Sequence, residues 1–287
     1  MSRLTLISVP FHLGVRAVGM GGGPLELLRD EALPSRLRSA RHDVELVEIA
    51  EPGEQHEIGR VFAINRELAG VVGATLRGGR RPLVISGNCN VCLGSIGGID
   101  APRVGIVWLD AHPDFHTPET TDSGFLDGMG LATATGACWH TLAASIPGFR
   151  AVEERDAILV GVRDIDAGER ERLEAGDVSV VMGGGGPGSL PRADLDGAVA
   201  ELAARVDGVY LHLDLDVIDP SLGRANEYAA AGGFGIDDIR EAIAMVAERV
   251  PILAASFTAY NPELDPDRRF TATAVAAIGA AVDEFVE

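Results

Sequence analysis

The sequence predicts an α/β protein, a three-layer α/β/α sandwich on an eight-stranded, mainly parallel sheet. Three observations predict it. Eight short apolar runs recur along the 287 residues. Stretches with helical apolar spacing lie between most of them. Polar residues collect just past the ends of the runs, where open parallel sheets bind ligands. Strands alternating with helices make βαβ units, and hence a sheet covered on both faces.

The elements follow in order. Residues 4–9 (Leu-Thr-Leu-Ile-Ser-Val) read as the first strand and are too short for a signal peptide. Further strands are expected at 44–49, 82–86, 104–109, 157–162, 178–182, 209–213 and 252–257. Helices are expected at 25–37, 58–76, 129–144, 193–206 and 236–250, with a last one at 271–285. No linker or internal repeat divides the chain, so a single domain over 1–287 is expected.

Composition excludes several function classes. The net charge of −19 argues against nucleic acid and anionic membranes as partners. No apolar run approaches the roughly 20 residues of a membrane span, and a cytoplasmic protein is expected. Every basic side chain among the 24 Lys+Arg is arginine. Schiff-base and P-loop lysine chemistry are therefore absent, and the glycine-rich stretch 183–188 reads as a flexible connection. Cys89, Cys92 and Cys138 do not make a disulfide framework.

Two motifs carry the chemistry. Asp110-Ala-His112-Pro-Asp114 follows one predicted strand, and Asp214-Leu-Asp216 ends another. Extended chain alternates faces, so Asp110, His112 and Asp114 share one side, and Asp214 and Asp216 share one side. Four carboxylates gathered with one imidazole would repel one another unless cations joined them. Divalent cations suit that donor set. Two cations bridged by shared carboxylates lower the pKa of water toward neutrality, which makes it a nucleophile for an electrophilic carbon. Read singly, each motif also fits a helix cap or a solvated turn.

The constellation resembles the arginase/agmatinase (ureohydrolase) superfamily over nearly the whole chain. The resemblance rests on Gly22-Gly-Pro24, Asp110-Ala-His112-Pro-Asp114, the loop from Thr117 to Gly128, the segment from Gly161 to Glu169, Asp214-Leu-Asp216-Val-Ile-Asp219-Pro, and Gly232-Gly233. It implies an arginase-like fold, a homotrimer or homohexamer, and two divalent metal ions, manganese above all. It implies metal ligation by Asp110, His112, Asp114, Asp214 and Asp216. It places Thr121 and Ser123 near a substrate carboxylate and Asp166 and Glu169 near an ammonium, roles that suit hydroxyls and acids.

The sequence departs from the family at four places. Cys89 stands where the family has a metal-binding histidine, as in a branch that cleaves hydroxyarginine. It is expected to ligate, with Zn2+ or Fe2+ favoured by a soft sulfur; its alternative is a small core residue. Asp127 replaces a proton-shuttling histidine, and His116 an asparagine beside the substrate carboxylate. Ala259 replaces a guanidinium-pairing glutamate, and Glu227 or Asp127 is expected to supply that charge. His212 should share a face with Asp214 and support the site from behind.

The expected function is binuclear-metal hydrolysis of a linear C–N bond, guanidine or amidine, on an amino-acid-headed substrate such as arginine or N-hydroxyarginine. Asp114, Asp127 and Glu227 are the expected catalytic residues. The alternatives are a hydrolase of a formimino or ureido acid, and a non-catalytic binding or regulatory protein.

Overall fold

The structure is a computed structural model that describes residues 2–54 and 56–285. β1 (Arg3–Val9) is followed by a small hairpin, β2 (Phe11–His12) and β3 (Val15–Arg16), then by α1 (Gly23–Leu28) and α2 (Ala32–Ser39). Next come β4 (Asp43–Glu48), α3 (Glu57–Arg77), β5 (Arg81–Ser86) and α4 (Cys92–Gly97). The middle of the chain is β6 (Val104–Leu109), α5 (Gly130–Ala134), α6 (His140–Ala143), β7 (Ala157–Val162), α7 (Ala167–Ala175) and β8 (Ser179–Met182). The last part is α8 (Arg192–Ala203), β9 (Gly208–Asp214), α9 (Ile236–Ala247), β10 (Ile252–Thr258) and α10 (Arg269–Phe285).

Each of the eight apolar runs forms a strand of one sheet, in the order β4-β1-β5-β10-β9-β6-β7-β8. Every pairing in it is parallel, so all eight carboxyl ends lie along one edge. After β5 the chain steps out to β6, and β9 and β10 later return to fill the gap. Connections that part in opposite directions open a crevice at the strand ends.

Alternation along the strands divides the core. Leu4, Leu6, Leu83, Ile85, Leu211 and Leu213 pack on one face with Leu27 of α1, Leu37 of α2 and Ile278 of α10. Ile106, Trp108 and Tyr210 pack on the other, with Leu93 of α4 and Leu131 of α5. Among the described residues no helix is long and apolar enough to cross a membrane.

Two predicted helices are broken. The 25–37 stretch splits at Asp30 and Glu31, both at positive φ. Pro34 has no N–H to bond back to residue 30, so the first helix has to stop before it. The 129–144 stretch splits at Gly136 (φ 79°), a left-handed stop followed by Trp139 at φ 52°. Short α4 and α7 lie outside the predicted helices. The 183–188 connection is not free: Gly183 N donates to Val162 O at 2.9 Å and Gly184 N to Gly232 O at 3.1 Å.

Candidate metal centre

β6 and β9 are paired neighbours, with Leu109 opposite Leu213, so Asp110 and Asp214 leave the sheet side by side. Trp108 Nε1 donates to Asp110 Oδ2 at 2.9 Å, and His112 N donates to Oδ1 at 2.7 Å. His112 Nδ1 lies 3.2 Å from Asp216 Oδ2 and 3.5 Å from Asp110 Oδ1. Asp216 N donates to Asp214 Oδ1 at 2.8 Å, and Cys89 Sγ donates to Asp214 Oδ2 at 3.0 Å. Donor atoms of Asp110, His112 and Asp216 fall within 4.8 Å of one another, as do those of Cys89, Asp110 and His212.

Asp114 holds a left-handed backbone conformation (φ 49°), and its carbonyl accepts from Leu131 N and Ala132 N at the start of α5. That conformation costs roughly 1 kcal/mol outside glycine and persists where function needs it. Asp114 Oδ2 is buried with no hydrogen-bond partner.

The electrostatics favour cations. Burial pushes Asp110 up to about 7 and both Asp114 and Asp214 well above the carboxylate range, and neighbouring aspartates add to each shift. Burial acts on Asp216 too, but the His112 imidazole and hydrogen bonds from Asn226 and Ala111 N outweigh it and hold it low. Burial lowers His112, and Asp216 and Asp110 more than reverse this. Cys89 is pushed well up by burial and by Asp214. Such a cluster is stable as carboxylates only if positive charge enters it, and the orphaned Asp114 oxygen is a ready ligand. Oxygen donors with one imidazole and one sulfur fit divalent metal ions.

The donors are held from behind. Asp127 Oδ1 accepts from Cys89 N at 2.7 Å and Asn90 N at 3.1 Å, and its Oδ2 accepts from Asn88 Nδ2 at 2.6 Å. It therefore shapes the turn after β5 that presents Cys89. Burial raises Asp127 to about 6 against those hydrogen bonds. His212 is fully buried, stacks on Trp108 at 3.6 Å between ring centroids, and is pushed down to about 3 by burial, so it is a neutral imidazole. It faces the sheet side that carries Asp214, as its parity predicts.

Asp219 closes the loop beyond β9. Its Oδ2 accepts from Gly232 N and Gly233 N at 2.9 Å each, and its Oδ1 from Ser221 N at 2.9 Å. A Cβ on Gly233 would meet Val217 O at 2.5 Å, so only glycine permits this return. The closed loop turns Asn226 inward, where Nδ2 donates to Asp216 Oδ2 at 3.2 Å and Ala259 O at 3.0 Å.

The donors face a cavity of about 260 Å³. Met20, Phe125, Tyr228 and Ala259 form an apolar wall, while Asp164, Asp166 and Glu169 lie on an acidic one. His116 Nε2 sits 2.6 Å from Asp166 Oδ2, and Glu169 Oε1 accepts from Phe115 N at 3.1 Å. Asp166 also caps α7 by accepting from Glu169 N at 3.0 Å. Thr121 and Ser123 lie on the loop carrying Phe125, and their hydroxyl oxygens accept from Gly124 N and Phe125 N at 3.1 Å each.

Asp110, Thr121, Ser123 and Glu227 are the expected residues that do not line the cavity, and of these Glu227 departs furthest from its expected role. It is exposed and absent from the cavity wall, and its Oε1 accepts from Asn261 Nδ2 at 2.6 Å. The loop that turns Asn226 inward turns its neighbour outward, so Glu227 lies outside the cavity wall, where its charge adds to the burial that raises Tyr228. Asn226 and Thr258 were not singled out from the sequence, because a neutral amide in a loop and a threonine ending a strand carry no distinguishing spacing.

Parallel strands ending in a carboxylate-rich crevice define a class, an α/β/α protein with a metal-type centre at a topological switch point. The comparisons narrow it. The model of the Arginase family matches residues 2–282, and the chain belongs to that family. It is 31% identical to an arginase of Bacillus caldovelox, with 99% of each chain covered, and 30% identical to an arginase of Brevibacillus brevis, with 96% of each covered. The crystal structure of arginase from Bacillus cereus superposes with a TM-score of 0.86 at 28% identity, covering 100% of both chains. The family makes the chain a hydrolase.

Proposed function

We propose that this protein hydrolyses a linear C–N bond, guanidine or amidine, in an amino-acid-headed substrate such as arginine or N-hydroxyarginine. Asp110, His112, Asp114, Asp214, Asp216 and Cys89 would hold two divalent cations, manganese first among them, with zinc or iron suited to the sulfur. One observation carries the reading: donor atoms of Asp110, His112 and Asp216 lie within 4.8 Å of one another, Asp114 and Asp214 line the same cavity as His112 and Asp216, and Asp114 Oδ2 is buried there without a partner. When bound, the cations supply Lewis acidity and a water acidic enough to attack at neutral pH.

The chain's own groups do the rest. The Asp114 carboxylate would both meet a cation and hold the proton of the attacking water. Asp127 Oδ2 takes a single hydrogen bond, from Asn88, and keeps acceptor capacity for a proton passed to the leaving amine. Beyond the donors, Asp127, Asp164, Asp166 and Glu169 face the cavity against one imidazole, His116, a balance that favours an ammonium head. The Thr121 and Ser123 hydroxyls lie on the loop suited to its carboxylate. Family likeness extends this reading to a homotrimer or homohexamer.

A second reading has its own observation. Ala259, 3% exposed, stands in the apolar wall, where a guanidinium would want a carboxylate. A formimino or ureido acid needs none. Manganese-loaded protein assayed against L-arginine, N-hydroxy-L-arginine, and formimino and ureido acids separates the two. Turnover of a guanidine or N-hydroxyguanidine supports the first reading. Turnover of the neutral substrates alone moves the assignment to the second. No turnover of any by protein holding two metals would overturn both readings of the substrate.

A further inference from the structure

Behind Cys89 lies a buried polar chain that the proposed reaction does not use. Cys89 Sγ lies 3.3 Å from Thr258 Oγ1, Thr258 Oγ1 lies 3.2 Å from His212 Nε2, and His212 Nδ1 lies 3.0 Å from the Tyr210 hydroxyl. Thr258, His212 and Tyr210 have no exposed surface. Thr258 closes β10 directly opposite Asp214 of β9, and Ser256 lies opposite His212, so sheet register sets the spacing. A β-branched side chain adds a stiff χ1.

With each of these contacts taken as a hydrogen bond, proton counting gives the chain one direction. A thiol has one hydrogen, and Asp214 Oδ2 receives it at 3.0 Å. The sulfur can then only accept from Thr258. The Thr258 hydroxyl has one hydrogen, spent on the sulfur, so its oxygen accepts from His212 Nε2–H. With that nitrogen as donor, Nδ1 faces the Tyr210 hydroxyl on the other side of the ring. Each group fixes the orientation of the next, and the last O–H is aimed at Cys89. When a cation takes the place of the thiol hydrogen, that O–H still faces the sulfur.

We propose that Thr258 is a positioning residue for the metal centre: its hydroxyl donates to the Cys89 sulfur and fixes that sulfur as a donor, with His212 and Tyr210 holding the hydroxyl in place. The proposal rests on the reading that Cys89 ligates, and the test separates the two. Cobalt(II) alone is titrated into the full-length, metal-stripped protein while thiolate-to-cobalt charge-transfer absorption is followed in the near ultraviolet. Wild-type protein should develop the band and Cys89→Ser should lack it.

Thr258→Val, nearly isosteric, should shift the band and weaken cobalt binding by about 10- to 100-fold, the range for residues that support metal ligands. Thr258→Ser, which keeps the hydroxyl, should restore both. A Thr258→Val protein with wild-type band and affinity overturns the positioning role and leaves Cys89 as a ligand. A serine variant that fails to rescue overturns the hydroxyl as the cause. A wild-type protein with no sulfur band overturns the Cys89 reading and this one with it.

Discussion

At the ends of β6 and β9, strand pairing places Asp110 and Asp214, while His112, Asp114 and Asp216 stand on the turns just beyond the strands. Across the cavity, Phe125, Asn226, Tyr228 and Ala259 are placed by loops held shut from behind. Asp110 and Asp214 project from paired neighbours of an eight-stranded sheet, and backbone pairing alone brings them together. The opposite wall depends on Asp219 drawing in Gly232 and Gly233, and on Asn226 bridging Asp216 and the Ala259 carbonyl. The donor half is rigid and electrically strained, whereas the loop half is conformationally special and electrically quiet. Substitutions should therefore fail differently in the two halves.

The largest effect is expected from Asp216→Asn. It removes the carboxylate shared by His112, Asn226 and Ala111 N, and kcat/KM should fall by more than about 100-fold, beyond the loss typical of a supporting residue. Steady-state kinetics with matched metal loading measures it. A loss of tenfold or less would mean that the strand ends do not carry the chemistry.

Asp219→Ala should act on the other half. It deletes the acceptor for Ser221 N, Gly232 N and Gly233 N, and should destabilise the fold by about 1–3 kcal/mol, the cost of unsatisfied buried donors. It should raise KM more than it lowers kcat, because the loop releases Asn226 and Tyr228 while the donors stay in place. Thermal unfolding and kinetics together check this, and an unchanged KM would contradict it.

Asp114→Asn sharpens the contrast through stability. Removing one of four crowded carboxylates should raise the melting temperature of metal-stripped protein by about 2–4 °C per kcal/mol relieved, while activity is lost. A lower melting temperature would show that the aspartates are satisfied without cations.

Glu227→Gln gives the smallest kinetic change, within about twofold, since an exposed surface substitution away from the site has little effect. A large loss would show that the 219–232 loop turns this acid inward during turnover.

Outside the cavity wall, Asp265 provides a pH test. Burial raises its pKa, but hydrogen bonds from Phe270 N, Thr271 N and the Tyr260 hydroxyl outweigh this and hold it below the ordinary range. A depressed folded pKa contributes stability in full above the unfolded value of about 3.9, and loses it as pH falls through the folded value. Asp265→Asn should cost about 1 kcal/mol at neutral pH and reduce the slope of the acid limb of stability. An unchanged acid limb would contradict the assignment.

What the sequence revealed follows the same division. All eight sheet strands, with Asp110 and Asp214 at two strand ends, were legible because an apolar run is a local property; the left-handed turn at Asp114 and the 3-10 turn carrying Asp216, where extended alternation was expected, were not. The helix breaks at Asp30 and Gly136 were missed because an apolar spacing can continue through a left-handed turn. Glu227 was misplaced because no local signal tells which of two adjacent loop residues faces inward. That choice is made by Asp219, several residues away in sequence but hydrogen-bonded to the loop's far end. The hold of Asp127 on the backbone of the Cys89 turn is a relation between the end of β5 and a distant loop that no spacing records.

The central claim is that this crevice is built for two cations. Elemental mass spectrometry of purified protein, loaded with manganese and freed of excess metal, tests it most directly. About two manganese ions per chain are predicted, falling toward one in Cys89→Ala. One ion or none in the wild-type protein would contradict the binuclear centre and the mechanism built on it.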